Sequence, residues 1–77
     1  MTTRRYTILL KPDLEQGGYW VEVPALPGVY SYGDTEVEAL AKAREAIEGY
    51  IEALQMDGEP VPEEPAPYEL RQVEVAA

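Results

Sequence analysis

Carboxylates are the side chains from which this sequence would have to build any catalytic centre. The chain has 15 Asp and Glu residues but no histidine and no cysteine, so the usual general base, thiol nucleophile and soft metal ligands are missing. A magnesium-dependent nuclease needs several acids that converge from neighbouring elements. Glu22, Glu69 and Glu74 lie in strand-like segments but are expected to face solvent. The sequence therefore predicts no enzyme, with no catalytic residue, no cofactor and no metal ligand.

Aromatic side chains form the second candidate site. Trp20, Tyr30 and Tyr32 are expected to share one face of a sheet, to which Glu22 also belongs, with Asp34 at its edge. Such a face can stack nucleotide bases, but base-binding faces normally lie in a basic surround, and this chain has a net charge of -9. These five residues are therefore predicted to form a protein interface. The alternative is that the aromatic side chains complete the core or lie scattered over the surface.

The length and composition are those of one small folded domain. Among the 77 residues 45% are hydrophobic, and without cysteine or histidine neither a disulfide nor a structural zinc is available. A chain of this size buries only about 60% of its unfolded surface, so a homo-oligomer is expected. The apolar run at residues 6–10 is too short for a signal peptide or a membrane span, which places the chain in the cytoplasm with no membrane partner.

Acidic residues dominate the C-terminal half of the chain. Residues 45–77 carry nine acids against the single base Arg71. A surface of this kind repels nucleic-acid phosphates and attracts basic partners. The alternative is a solvated acidic face that keeps a small protein soluble.

Hydrophobic periodicity divides the chain into strands and one helix. The helix is predicted at residues 36–56. Residues 59–67 contain four prolines and are predicted to form an extended linker. The last strand has imperfect alternation, which indicates a bulge. Four segments have the composition and alternation typical of strands: residues 4–11, 19–24, 29–32 and 68–75.

Signals at both ends define the helix. Thr35 and Glu38 form a T-x-x-E capping box, and Asp34 adds negative charge near the positive end of the helix dipole. Glu38 and Lys42 have the spacing of an i,i+4 ion pair, and Gly58 is placed to end the helix. One apolar stripe is expected to face the sheet, and its members are Val37, Leu40, Ala43, Ile47, Tyr50 or Ile51, and Leu54.

The order of elements predicts an α+β fold with two layers. Hairpins join the first three strands, and a right-handed crossover through the helix is expected to bring the fourth strand beside the first. The result is a β-β-β-α-β topology, in which one helix covers a four-stranded, mostly antiparallel sheet of spatial order 3-2-1-4.

The loop between the second and third strands is expected to be structural. Pro24 ends the second strand where a lost N–H does little harm. Pro27 and Gly28 suit the central positions of a type II turn, in which the glycine supplies a positive φ. Gly33 is expected to let the backbone bend into the helix cap. These roles require no ligand.

An ordered set of short motifs runs from the second strand to the linker. No single motif is specific, but the ordered set resembles the HicB family, the antitoxins of HicA–HicB toxin–antitoxin pairs, over about residues 6–65. The motifs are Gly18-Tyr19, Pro24-Ala25-Leu26-Pro27-Gly28, Gly33-Asp34-Thr35, Glu38-Ala39-Leu40, Ala43-Arg44-Glu45-Ala46, and Gly58 with Pro62.

The resemblance implies a partner and a fold. The partner is HicA, a small basic toxin that cleaves RNA, and an acidic antitoxin would neutralise it by covering its RNA-binding surface. The fold is a partial, non-catalytic ribonuclease-H-like domain, here spanning residues 1–77. Many members carry a DNA-binding segment after this domain, whereas this sequence ends at Ala77, so no DNA binding is expected from this chain alone. The alternative function is a stand-alone homo-oligomeric domain without a toxin partner.

Overall fold

Three strands and one helix form the folded body of the chain in the computed structural model, which describes residues 3–64 and 67–76. The strands form one antiparallel sheet of order β1-β2-β3, and the helix packs against β3 and β2. No helix in the described ranges is long and apolar enough to cross a membrane. The elements in chain order are β1 (Leu9–Pro12), β2 (Tyr19–Glu22), β3 (Tyr30–Gly33) and α1 (Glu36–Met56).

Asp13 organises the loop that joins β1 to β2. Its carboxylate Oδ1 accepts hydrogen bonds from the backbone N–H groups of Gln16 and Glu15, each at 3.1 Å. These bonds hold the pKa of Asp13 below its ordinary value, because they stabilise the ionised form. Gly17 and Gly18 then turn the chain with φ of 82° each, a left-handed conformation that glycine adopts readily.

The loop between β2 and β3 contains two consecutive turns around a buried leucine. The Val29 N–H donates to the Leu26 carbonyl at 3.1 Å, and Gly28 has φ of 90°. These features confirm the predicted type II turn with Pro27 and Gly28 at its centre. Leu26 is fully buried and packs with Val23 and Val29. The loop is therefore anchored by a core side chain that the sequence analysis did not identify.

Local signals set both ends of α1, which spans the residues predicted for it. The Thr35 hydroxyl accepts a hydrogen bond from the Glu38 N–H at 3.1 Å, which confirms the N-cap. Lys42 pairs with Glu38 at 3.1 Å, as expected from their spacing. After the last turn Gly58 has φ of 71°, and its N–H donates to the Gln55 carbonyl at 3.1 Å, which closes the helix.

Small residues bring α1 close to the sheet. Ala39 and Ala43 are buried in one cluster with Val21 of β2. A Cβ added to Gly33 would collide with the backbone of Ala39, so only glycine fits at this end of β3. Gly33 is not among the glycines with positive φ. Gly33 is therefore required for close packing, and its predicted role in the bend into the helix cap does not depend on a positive φ.

The first two members of the predicted apolar stripe, Val37 and Leu40, do not face the sheet, whereas Ala43 is buried against β2 as predicted. Val37 is 79% exposed and Leu40 is 41% exposed, whereas Ala39 is fully buried. In the C-terminal half Ile47 packs against the core as predicted. Because β3 and α1 approach each other closely at Gly33, only small side chains fit between them. The spacing of large apolar residues in the sequence does not show that small residues are buried here.

The predicted fourth strand is absent. Residues 67–76 form no strand and are exposed throughout, so the predicted order 3-2-1-4 is wrong and only β3-β2-β1 remains. A strand needs a neighbouring edge with which to pair, and this segment does not reach one within its own chain. Three antiparallel strands and one helix confirm the α+β class. The ribonuclease-H-like arrangement implied by the resemblance would need the fourth strand as well.

The linker predicted at residues 59–67 contains neither helix nor strand at its described positions. Residues 65 and 66 lie outside the described ranges. Residues 62–64 lie beside the start of the chain, where the Tyr6 hydroxyl donates to the Pro62 carbonyl at 2.6 Å. The linker is therefore fixed to the body up to this point.

Candidate protein-interaction face

One face of the sheet is open to solvent, because α1 covers only the other. Val21 of β2 points towards α1, so its neighbours Trp20 and Glu22 point the opposite way. In the register of β2 and β3, Trp20 lies opposite Tyr32 and Glu22 lies opposite Tyr30. We call this surface the outer face, and its residues are Leu9, Lys11, Trp20, Glu22, Tyr30 and Tyr32.

Trp20 and Tyr32 form an aromatic pair at the centre of the outer face. Their ring centroids are 4.9 Å apart and their planes are tilted by 55°. The Tyr32 hydroxyl donates to the Gly17 carbonyl at 2.7 Å. A Cβ on Gly18 would collide with that hydroxyl, so glycine leaves the space that Tyr32 occupies. The first hairpin loop thus fixes Tyr32, and Tyr32 in turn supports Trp20.

Two of the aromatic side chains on the outer face are accessible to a partner. Trp20 is 50% exposed and Tyr30 is 59% exposed. Neither belongs to the buried clusters, so the alternative that they complete the core does not apply to them. Tyr32 is partly buried beside Trp20. On the outer face, the Trp20 ring is therefore held by its contact with Tyr32, and the Tyr30 ring is the more exposed of the two.

Charge on the outer face is balanced. The Lys11 ammonium lies 2.6 Å from the Glu22 carboxylate. The hydrogen bond to Glu22, and then its negative charge, raise the pKa of Lys11 above its ordinary value. Because both groups are partly exposed, the pair adds little to stability. The excess of acid lies elsewhere, and on α1 its exposed members are Glu36, Glu45, Glu48 and Glu52.

The structure brings four of the five predicted interface residues together. Asp34, the fifth, is exposed and lies just beyond β3, next to the N-cap Thr35. The residues assigned to the turn and cap lie apart from the outer face, in the second loop, at the end of β3 and at the start of α1. Pro24, one of them, is half-buried after Val23.

Contacts between the linker and the start of the chain were missed by the sequence analysis. The backbone N–H and the hydroxyl of Thr7 donate to the two oxygens of the Glu64 carboxylate at 2.6 and 2.7 Å. Arg4 lies 3.5 Å from Glu63. The Thr7–Glu64 bonds join residues 57 positions apart, and no local pattern marks such a pair.

The carboxylates considered for a magnesium site are not brought together. Glu22 is held in the sheet by Lys11, whereas Glu69 pairs with Arg71 at 3.1 Å in the exposed C-terminal segment. Within residues 3–64 and 67–76, no group of three or more acids is placed to hold a metal ion. Glu22 and Glu69 thus lie in different parts of the described structure, each beside a basic side chain.

Comparison with known proteins identifies the family. A model of the HicB-like antitoxin of bacterial toxin–antitoxin systems matches residues 6–75, which include every strand, α1 and the exposed C-terminal segment. A UPF0150 protein of Thermoplasma acidophilum is 45% identical over 62 residues, which cover 80% of this chain and 88% of that protein. A UPF0150 protein of Synechocystis sp. is 49% identical over 59 residues, which cover 77% of this chain and 73% of that protein.

A named antitoxin is also among the relatives. The antitoxin HicB 1 of Photorhabdus laumondii is 40% identical over 58 residues, which cover 75% of this chain but only 37% of the antitoxin. No solved structure matches the chain significantly. Because the family model extends over nearly the whole sequence, and the Thermoplasma relative aligns along most of its length, the chain belongs to the HicB-like antitoxin family of bacterial toxin–antitoxin systems.

Proposed function

We propose that this chain is an antitoxin that binds a small, basic, RNA-cleaving toxin of the HicA kind and covers the toxin's RNA-binding surface. Membership of an antitoxin family supports a regulatory, non-enzymatic role. The observation that carries the proposal is the outer face, where Trp20 and Tyr30 are half exposed on a fixed sheet. The toxin docks on this face.

Trp20 is the main anchor of the proposed interface. Trp and Tyr are the residue types that most often dominate binding energy at protein interfaces. The contact with Tyr32, which the Gly17 carbonyl holds in place, restricts Trp20 before any partner arrives. A side chain that is already ordered loses less conformational entropy on binding, so more of its contact energy appears as affinity.

The acidic residues have a different role, because they lie mainly away from the outer face. The net charge of -9 attracts a basic toxin over long range, and the exposed acids of α1 contribute to that field. Complementary charge chiefly raises the association rate, whereas buried anchors chiefly slow dissociation. In this proposal the acids steer the toxin to the chain and the aromatic side chains hold it.

The test uses the purified chain and a basic HicA-type toxin encoded beside its gene. Calorimetric titration should give a one-to-one complex with nanomolar affinity that weakens as salt is raised. RNA cleavage by the toxin should stop when one equivalent of this chain is present. A folded chain that neither binds nor inhibits the toxin would contradict the proposal.

Two sets of variants separate the roles of the anchors and of the charge. Trp20→Ser should cost at least about 2 kcal/mol of binding free energy, mainly through faster dissociation. The matched control is Val37→Ser, which removes an apolar side chain that is 79% exposed on α1, and it should bind like the wild type. Glu48→Lys with Glu52→Lys should slow association and flatten the salt dependence. If the toxin dissociated from the Trp20→Ser variant at the same rate as from the wild type, the toxin would use another surface.

A further inference from the structure

The outer edge of β3 is unpaired in the part of the chain that the structure describes, because β2 lies on its other side. The Val23 N–H donates to the Val29 carbonyl across the two strands at 3.4 Å, and the direction of bonding alternates along an antiparallel strand. Ser31 therefore bonds to β2, whereas the N–H and carbonyl groups of Tyr30 and Tyr32 point away from the sheet. These backbone groups are available to a further strand.

The edge of β3 lacks the features by which edge strands usually avoid pairing. Those features are proline, charged side chains and bulges, and β3 contains none of them. The opposite edge of the sheet differs, because β1 ends in Lys11 and Pro12. Just before β1, the Thr7 N–H is already bonded to Glu64. Of the two edges, that of β3 is therefore the one suited to a second strand.

The position of α1 suits a second copy of the same chain at this edge. The helix lies over β3 and β2, where Ala39 and Ala43 pack with Val21. Its axis therefore runs between these strands, about 2.4 Å inside β3, since neighbouring strands are about 4.8 Å apart. If a two-fold axis paired two β3 strands, the two helix axes would lie about 10 Å apart, which is a normal distance for packed helices.

The flank of α1 on the β3 side has small side chains. The N-terminal segment, which continues into β1, lies against the other flank, where Tyr6 lines a groove with Ile47 and Ile51. Successive helix residues are about 100° apart, which identifies the opposite flank. Its residues are Lys42, Ala46, Gly49 and Ala53. Lys42 is the only long side chain among them, and it pairs with Glu38 of its own helix at 3.1 Å. Two helices can therefore approach each other on this side.

Charge is absent from the edge itself. Residues 24–33 contain no Asp, Glu, Lys or Arg. Asp34 follows β3, and in an antiparallel pair centred on the strand the two Asp34 side chains would lie at opposite ends of the interface. The net charge of -9 on each chain acts over a longer range, where salt screens it. Two copies can therefore meet at this edge without like charges in contact.

We infer that two copies of this chain form a dimer through the outer edges of their β3 strands, related by a two-fold axis at Ser31. Tyr30 of each copy exchanges backbone hydrogen bonds with Tyr32 of the other. Ser31 faces α1, and its hydroxyl donates to the Ala39 carbonyl at 3.4 Å, so a small side chain lies at the axis beneath the two helices. The interface is the same on both copies and closes the assembly. The strands of both copies form one sheet, and both outer faces stay open to the toxin.

Light scattering over a range of concentrations, with hydrogen exchange measured by NMR on the same samples, tests the dimer without any toxin. The N–H groups of Tyr30 and Tyr32 should exchange at least about tenfold more slowly in the dimer than after dilution to monomer. The Ser31 N–H is the internal control and should change less, because it bonds to β2 in either state. A monomer at all concentrations, or a dimer in which Tyr30 and Tyr32 exchange freely, overturns the proposal.

The salt dependence distinguishes this dimer from the toxin complex. Raised salt should favour the dimer, because it screens the repulsion between two chains that each have a net charge of -9. The same change should weaken the complex with a basic toxin. A dimer that dissociates as salt is raised would contradict an interface formed by uncharged residues.

Two variants at Tyr30 separate the backbone from the side chain. Tyr30→Pro removes an N–H that points away from β2, so it costs no hydrogen bond within the chain but should give a monomer. Tyr30→Ser keeps the N–H and should remain a dimer. Unchanged protection of the Ser31 N–H shows that both variants are folded. A folded, dimeric Tyr30→Pro would refute the edge pairing.

A cysteine at the axis tests the register. The chain contains no cysteine, so Ser31→Cys introduces a single thiol. Opposite residues of a non-hydrogen-bonded pair have Cα atoms about 4.5 Å apart, a distance that a disulfide can span. Under mild oxidation Ser31→Cys should cross-link at least about tenfold faster than Ala41→Cys, which places the thiol at an exposed position on α1. Equal rates would show that the chains meet only by collision and would overturn the pairing at Ser31.

Discussion

The two faces of the sheet differ in how closely their residues are packed. On the inner face, Gly33 and Ala39 approach so closely that a single added carbon would collide with the helix. On the outer face, Trp20 and Tyr30 expose half or more of their surface to solvent. The same three strands therefore carry tight packing on one side and large, accessible rings on the other.

This difference separates stability from binding. Removing a buried atom leaves a cavity, and adding one causes a clash, so the inner face fixes the fold. Exposed rings contribute less to folding but supply contact area to a partner. Substitutions on the two faces should therefore affect different measurements, and the four predictions below test that separation, from the largest expected effect to the smallest.

Leu26→Ala should give the largest loss of stability. The side chain is fully buried with Val23 and Val29, so its truncation leaves a cavity under the second loop. The free energy of unfolding should fall by about 2–5 kcal/mol, measured by urea denaturation at fixed protein concentration. Leu14→Ala makes the same change in the first loop at a side chain that is 94% exposed, and it should have little effect. Equal losses in the two variants would contradict the assignment of Leu26 to the core.

Gly33→Ala should destabilise the chain by about 1–3 kcal/mol, because the new Cβ forces β3 away from the backbone of α1. The matched control is Gly49→Ala in the helix, where an added Cβ meets nothing within 4 Å. Gly49→Ala should stabilise the chain by about 0.5–1 kcal/mol, because alanine favours helix. Urea denaturation of both variants should therefore show changes of opposite sign in the free energy of unfolding.

Tyr30→Ser should change the free energy of unfolding by no more than about 0.5 kcal/mol, since the ring lies on the outer face and is 59% exposed. The same variant should bind the proposed toxin more weakly. Urea denaturation and calorimetric titration measure the two effects separately. A loss of stability comparable to that of Leu26→Ala would show that the outer face also supports the fold.

Asp13 should give the smallest effect, and one that depends on pH. Its folded pKa lies below the ordinary value of 3.8, so its contribution to stability is present above that value and is lost as pH falls through the folded pKa. Asp13→Ala should therefore be less stable than the wild type at pH 7, and the difference should narrow below about pH 4. A difference that stays constant with pH would exclude the ionised carboxylate as its source.

Trp20 provides a local readout of the same change, because it is the single tryptophan of the chain. The Gly17 N–H donates to the Asp13 carbonyl at 2.9 Å, and the Gly17 carbonyl holds Tyr32 beside Trp20. The near-ultraviolet circular dichroism of Trp20 should weaken in Asp13→Ala at pH 7. An unchanged signal would show that the aromatic pair is independent of the first loop.

The parts of the fold that depend on neighbouring residues could be predicted from the sequence. The N-cap at Thr35, the end of α1 near Gly58 and the turn at Gly28 use hydrogen bonds between residues a few positions apart. Alternation along β2 and β3 also placed Trp20 and Tyr30 on one face, because side chains alternate along any strand. The role of that face as an interface stays a prediction.

Other features depend on residues that are distant in sequence. Thr7 and Glu64 meet through contacts that no local pattern shows. The burial of Ala39 in place of Val37 and Leu40 follows from the close approach at Gly33, which exists only after α1 has docked. Leu26 lies in a loop between Pro24 and Pro27, and hydrophobic periodicity does not show that its side chain is buried.

The sequence by itself determined the α+β class, the bounds of the helix, its caps and the alternating faces of the strands, because these depend on backbone geometry and nearest neighbours. Only the tertiary structure decided which helix residues face the sheet, which loop residue fills the core and whether residues 67–76 find a strand to pair with. Those outcomes depend on how surfaces fit once they meet, and a strand-like segment becomes a strand only when an edge is within reach.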